Sequence, residues 1–168
     1  QNVGSPRQNS RMNNPADTLA QVASDLRSML SGDALAGRSD EERAEVLRGL
    51  GEVTRLADAV VVETVATADV EFGHRYGCRN MNELLQRALL TDATTAAKAT
   101  RAAAAVRREV NLVSGERMPA RWPFLRETLL DGQISIAGLL AAIGPIETAH
   151  DRISLSERLQ VDEALARY

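Results

Sequence analysis

Apolar residues return every three or four positions along most of this chain, the spacing of helices that bury one face. Leu19, Val22, Leu26, Met29 and Leu30 predict a first helix over 17–30, ended by Ser31-Gly32. A second begins at Ser39. There Ser39 and Glu42 have capping-box spacing, and Asp40, Glu41 and Glu42 put three acids at the positive end of the helix dipole. The stripe Val46, Leu50, Val53, Ala57, Val60, Thr64 and Ala68 extends this helix to Phe72. Gly49, Gly51 and the β-branched run Val60-Val61-Val62 weaken it, but the same period continues through Thr64, Val65 and Ala68.

A turn with two glycines follows over 72–79, and Asn80 with Glu83 repeats the capping pattern before the short helix of Leu84, Leu85, Ala88 and Leu89. Thr91-Asp92 caps a helix over 93–113. Its alanines let neighbouring helices approach closely, and Ser114-Gly115 ends it. Pro119 and Pro123 flank Trp122; Leu125, Leu129 and Leu130 form a helix stopped by Asp131-Gly132. Ser135 starts another through Leu139, Leu140 and Ile143, interrupted at Gly144-Pro145. Ser154 and Glu157 start the last, still running at Tyr168. The predicted fold is all-α, six or seven helices around one long central helix. Residues 1–15, rich in Asn, Gln, Ser, Gly and Pro, read as a disordered or appended arm, and 16–168 as one helical domain. The missing initiator Met and the unfinished last helix lead to the expectation of a fragment truncated at its C-terminal end.

Composition supports this picture. At 168 residues with 44% hydrophobic and 26% charged residues, the chain has globular rather than disordered composition. Aromatics make up only 3%, so the core must be built from Leu, Val, Ile and Ala, which favours close-packed helices over a sandwich or barrel. A single cysteine excludes an intrachain disulfide, and two histidines exclude most His-based metal sites, so no metal or cofactor is expected. The most apolar run, around 59–70, is broken by Glu63 and Asp69, so no membrane span is expected. Residues 1–14 lack the apolar core of a signal peptide, and the expected location is cytoplasmic.

The net charge of −3 conceals an asymmetry. Residues 16–92 carry eight Arg against fourteen acids, and 127–168 carry three Arg against seven acids. Between them, 93–126 carries Lys98 and six Arg against only Glu109 and Glu116. Arg outnumbers Lys throughout, a bias attributed mainly to coding preference; the scarcity of acids is what marks this segment. Lys98, Arg101 and Arg108 share one helical face by spacing, with Arg107 about 100° around it. Such a stripe can contact nucleic-acid phosphates, lie against acidic helices of the same domain, or be solvated.

Catalytic patterns are sparse. His74 and Cys78, with Glu71 nearby, have the residue types of a nucleophile pair, but the turn more simply explains them. Gly73 and Gly77 lack the Lys-Ser/Thr of a phosphate loop. Trp122 reads as a core anchor before a base-stacking platform. His150-Asp151 reads as a surface loop, and the adjacent acids Glu41-Glu42 and Asp162-Glu163 as solvated helix ends. No catalytic residue is assigned, and the segment is not expected to be an enzyme.

Three stretches resemble a known family. The turn followed by Arg79-Asn80-Met81-Asn82-Glu83-Leu84-Leu85 is similar to the G-x-R-S-x-x-x-W-L turn-and-helix of the actinobacterial 13E12-repeat proteins, with Leu84-Leu85 in place of Trp-Leu. Leu90–Ala96 resembles that family's L-S-x-x-E-A helix start, with Thr94-Thr95-Ala96 in place of Glu-Ala. Met118-Pro119, Leu129 and Asp131-Gly132-Gln133-Ile134-Ser135 resemble its L-P-x-x-x-x-A-L-x-x-G-x-I-S segment. The resemblance covers about 56–168 and implies the helical domain of unknown function 222, usually N-terminal to an HNH endonuclease domain. It implies a non-catalytic accessory role, positioning DNA or mediating assembly, with any nuclease chemistry beyond Tyr168. On that reading Lys98, Arg101, Arg107, Arg108, Arg117 and Arg121 are the candidate DNA contacts. The alternative is a protein–protein or self-association module without nucleic-acid contact.

Overall fold

The computed structural model describes residues 14–148 and 153–167. It is all-helical, with eight helices among the described residues. These are α1 (Pro15–Leu30), α2 (Asp40–Thr67), α3 (Phe72–Arg75), α4 (Met81–Leu89), α5 (Ala93–Val106), α6 (Pro123–Leu130), α7 (Ile136–Thr148) and α8 (Leu155–Ala166). The chain divides into two compact units, Gln1–Leu47 and Arg48–Tyr168. His150 and Asp151 lie outside the described residues.

The first unit is made by local signals. Asn14 Oδ1 accepts from the Ala16 amide at 3.2 Å, and Pro15 opens α1 where its missing N–H costs nothing. At the start of α2, Ser39 Oγ accepts from the Glu42 amide and Glu42 Oε2 from the Ser39 amide, the reciprocal pattern the spacing predicts. The Ser39 amide, and the Arg38 guanidinium after it, favour the ionised carboxylate and hold the Glu42 pKa below its ordinary value. None of the 16 residues of α1 is buried. A groove of about 290 Å³ lies within this unit, lined by Met29, Leu35, Arg38 and Val46 among others.

The second unit holds the core. Helix α5 contributes Ala96, Ala99, Ala102, Ala103, Ala105 and Val106, all buried. Alanine on this face lets α4 and α7 pack close against it, as scarce aromatics predict. Leu85, Trp122, Leu125, Leu129, Leu139 and Ile143 fill the space between, and α8 packs on α6. Trp122 is fully buried, a core anchor as expected.

Five expectations change. The buried face of α2 is Ala59, Val62, Val65 and Ala66, not the stripe through Leu50, Val53, Ala57, Val60 and Thr64, which faces outward. The inner phase also holds polar residues that find partners there. Arg55 donates to the Gly132 carbonyl at 2.5 Å, and Glu63 pairs with Arg126 at 2.7 Å. Helix α2 stops at Thr67 rather than Phe72, because Arg107 takes the Ala66 and Ala68 carbonyls at 3.0 and 2.6 Å and Asp69 Oδ1 accepts from the Glu71 amide. The turn after it winds into the extra helix α3. Gly73 is required there, since a Cβ would stand 3.0 Å from the Asn80 backbone.

Helix α5 ends at Val106 rather than Val113. Residues 107–118 instead form a narrow hairpin: Asn111 donates to Glu116, Met118 donates to Glu109, and Val110 bridges Arg117. Val110 and Val113 are β-branched, and Gly115, at φ +70°, makes the turn. Finally, α7 runs through Gly144-Pro145 to Thr148. The ring removes one helix bond without ending the helix.

Candidate functional site

The catalytic pair does not assemble. His74 Nδ1 lies 3.1 Å from a Glu71 carboxylate oxygen and Nε2 lies 2.9 Å from the Arg79 carbonyl, so both ring nitrogens face acceptors. The Arg79 carbonyl and the Glu71 carboxylate together raise the His74 pKa above its ordinary value. Cys78 is buried, and its thiol points to the Tyr76 carbonyl at 3.7 Å. Neither side chain contacts the other as a base and nucleophile must. Among the described residues no group of His, Cys, Asp and Glu is gathered to hold a metal ion. No helix of the described chain is long and apolar enough to cross a membrane.

The six basic residues singled out by charge do not form one surface. Lys98 and Arg101 project from the exposed side of α5, with no ionic partner among the described residues. Arg107 is the C-cap residue of α5, and its guanidinium caps the carbonyl end of α2. Arg108 donates to the Met118 carbonyl at 3.1 Å and the Arg117 carbonyl at 3.2 Å, fastening the base of the hairpin. Arg121 lies 3.7 Å from Glu147. Thus Arg107 and Arg108 keep their charge while their hydrogen atoms serve backbone carbonyls.

Two grooves separate these residues. One, of about 540 Å³, is lined by Arg107, Arg108, Arg117 and Arg126 but also by Glu63, Asp69 and Glu109. Its charge is mixed rather than strongly basic. Arg126, absent from the sequence candidates, is the most enclosed of its cations, with a side chain 18% exposed. The other groove, about 180 Å³, joins Arg101 to Arg121, Leu140 and Glu147. Above the first groove rises the hairpin, and its tip residues Leu112 and Val113 are 100% and 97% exposed.

Sequence reasoning missed Asp162. It is a buried carboxylate rather than a solvated helix end. From α8 it accepts the Phe124 and Leu125 amides at 2.9 and 3.0 Å, the first turn of α6, whose own N-cap Trp122 offers no side-chain acceptor. Burial raises the Asp162 pKa, and the two amides oppose that shift. Asp58 on α2 is raised for the same reason and is opposed by the Ile136 amide at the start of α7. Both acids are helix caps supplied from elsewhere in the chain. The only sequence signal is negative: Pro123 starts a helix with no Ser, Thr, Asp or Asn before it.

No family model matches this chain, and neither the curated proteins nor the solved structures contain a match.

Proposed function

We propose that this chain is a non-catalytic helical assembly module that pairs with a second copy of itself along the outer face of α2. The observation that carries this reading is the exposed series Leu50, Val53, Ala57, Val60 and Thr64. Its spacing of three and four is that of a coiled-coil seam. Leu56, 39% exposed, widens the stripe. An aliphatic stripe of this kind on a helix already anchored by its opposite side marks an interaction surface. The sequence resemblance to the 13E12-repeat family supports reading such a module as an accessory of an HNH-type nuclease protein.

Sedimentation across a range of protein concentrations tests the pairing. Association that rises with concentration and disappears in the double variant V53E/V60E supports it; a monomer at every concentration overturns it. Both positions are outside the core, so the variant is expected to keep its fold.

A second reading, DNA positioning, is supported by one feature: Lys98 and Arg101 are exposed, with no ionic partner among the described residues, on an acid-poor segment. It requires DNA binding that weakens with salt and with K98A/R101A. Binding that is absent at low salt, or indifferent to those substitutions, excludes it.

A further inference from the structure

The two-helix unit over 14–47, α1 and the start of α2, buries none of its 34 described residues. So short a unit cannot build a core alone and is ordinarily completed by a disulfide, a metal or association. Among the described residues no disulfide or metal cluster braces it. Its apolar residues are nevertheless arranged for burial. Leu19, Val22, Leu26, Met29 and Leu30 recur along one face of α1, with Leu19 51% and Leu30 76% exposed. The groove of about 290 Å³ that Met29 shares with Leu35 and Val46 carries this surface on to α2.

Charge selects what can cover it. Residues 14–47 carry three Arg against seven acids, a net charge of −4. Arg38 and Arg43 are already paired with Glu42 and Asp40. Asp17, Asp25, Asp33, Glu41 and Glu45 remain, against Arg27, and Glu45 lines the groove itself. A second copy would bring an equally acidic unit, and an anionic lipid surface the same sign of charge; like charges brought together cost affinity. Residues 1–13 carry Arg7 and Arg11 but no apolar period to match the stripe.

We propose that the unit over 14–47 is a docking surface for a basic amphipathic helix of a partner protein. The partner's apolar side chains, spaced by three and four, lie along α1 and in the groove, and its Lys and Arg side chains meet the uncompensated acids. A third helix supplies the burial that two helices lack.

The probe is a fluorescein-labelled Leu/Lys peptide whose leucines share one helical face, titrated into the full chain and followed by anisotropy. Saturable binding that weakens as salt is raised is expected. Backbone amide NMR should confine the peptide's shifts to 14–47. Val22→Ser/Met29→Ser and Glu45→Lys should each weaken binding by about threefold or more. V53E/V60E should leave it unchanged, which separates this surface from the outer face of α2. No saturation at low salt, or shifts centred on 50–64, overturns the proposal. Equal binding of a Leu/Lys peptide with its leucines scattered around the helix, or of a Leu/Glu peptide, overturns it too, because neither shape nor charge would then be selected. Shifts over 14–47 that instead appear on raising the protein concentration, or on adding phosphatidylglycerol vesicles, name a second copy or a lipid surface as the occupant and overturn it equally. The NMR map of the native chain decides even if the α1 variant loses its helix.

Discussion

Helix α1 carries Leu19, Val22, Leu26, Met29 and Leu30 and buries none of its 16 residues; helix α5 is mostly alanine and buries six of its 14. By hydrophobicity alone α1 has the stronger apolar face. The difference lies in neighbours. Helix α5 sits among α4, α6 and α7, and its small side chains let them come close enough to exclude water. Helix α1 has good caps and a clear period, yet a lone amphipathic helix of this length is marginal in water. Secondary structure can therefore be fully specified where tertiary burial is not.

The contrast is broken most directly at Trp122. Trp122→Ala should cost about 3–5 kcal/mol and sharply lower the thermal midpoint of the unit from Arg48. Leu26→Ala in α1 should move that midpoint by less than about 0.5 kcal/mol-equivalent. Equal effects would mean that α1 is as firmly held as the core. Amide hydrogen exchange gives the same test by residue, with α5 protected and α1 exchanging rapidly.

Asp162→Asn comes next. It leaves one of two buried amides without a good acceptor, for a cost of about 1–3 kcal/mol by thermal or urea melting. Its pH dependence has a definite sign. The folded pKa is raised above 3.8, so this group's contribution is fully present below that value and falls as pH rises through the folded pKa. The gap between wild type and Asp162→Asn should narrow as pH rises. A gap that widens would place the carboxylate in a less enclosed setting.

Gly132→Ala is expected to cost about 1–2 kcal/mol, because an L-residue at this left-handed position is strained. Its φ is +67°, and a Cβ would also stand 2.8 Å from Leu56 Cδ2. Leu56 is half-exposed and can yield, so the backbone sets the cost. Gly32, at φ +74° with open space around it, tests backbone strain without the contact. The smallest effect is at His74. Its pKa by NMR should lie above 6.5, with the stabilisation it lends the turn present below 6.5 and lost as pH rises through the folded value. A value at or below 6.5 would mean the Arg79 carbonyl and Glu71 do not hold the ring.

What the sequence determined by itself is the local part of this protein. The all-helical class, the caps at Ser39, Asn80, Asp92 and Ser154 and the stop at Gly132 all follow from interactions between residues a few positions apart. Such interactions need no partner from elsewhere, so spacing alone reveals them. Tertiary structure decided everything that depended on a distant group. Val60-Val61-Val62 offers apolar residues at more than one phase, and only the partners of Arg55 and Glu63 select the inner one. Arg107 ends α2 from 39 and 41 residues away, and Asp162 caps α6 from 37 and 38. In a linear sequence both looked like surface charge. They become structural because a backbone carbonyl or amide at a buried helix end must be satisfied, and the fold brings the nearest available charge to it.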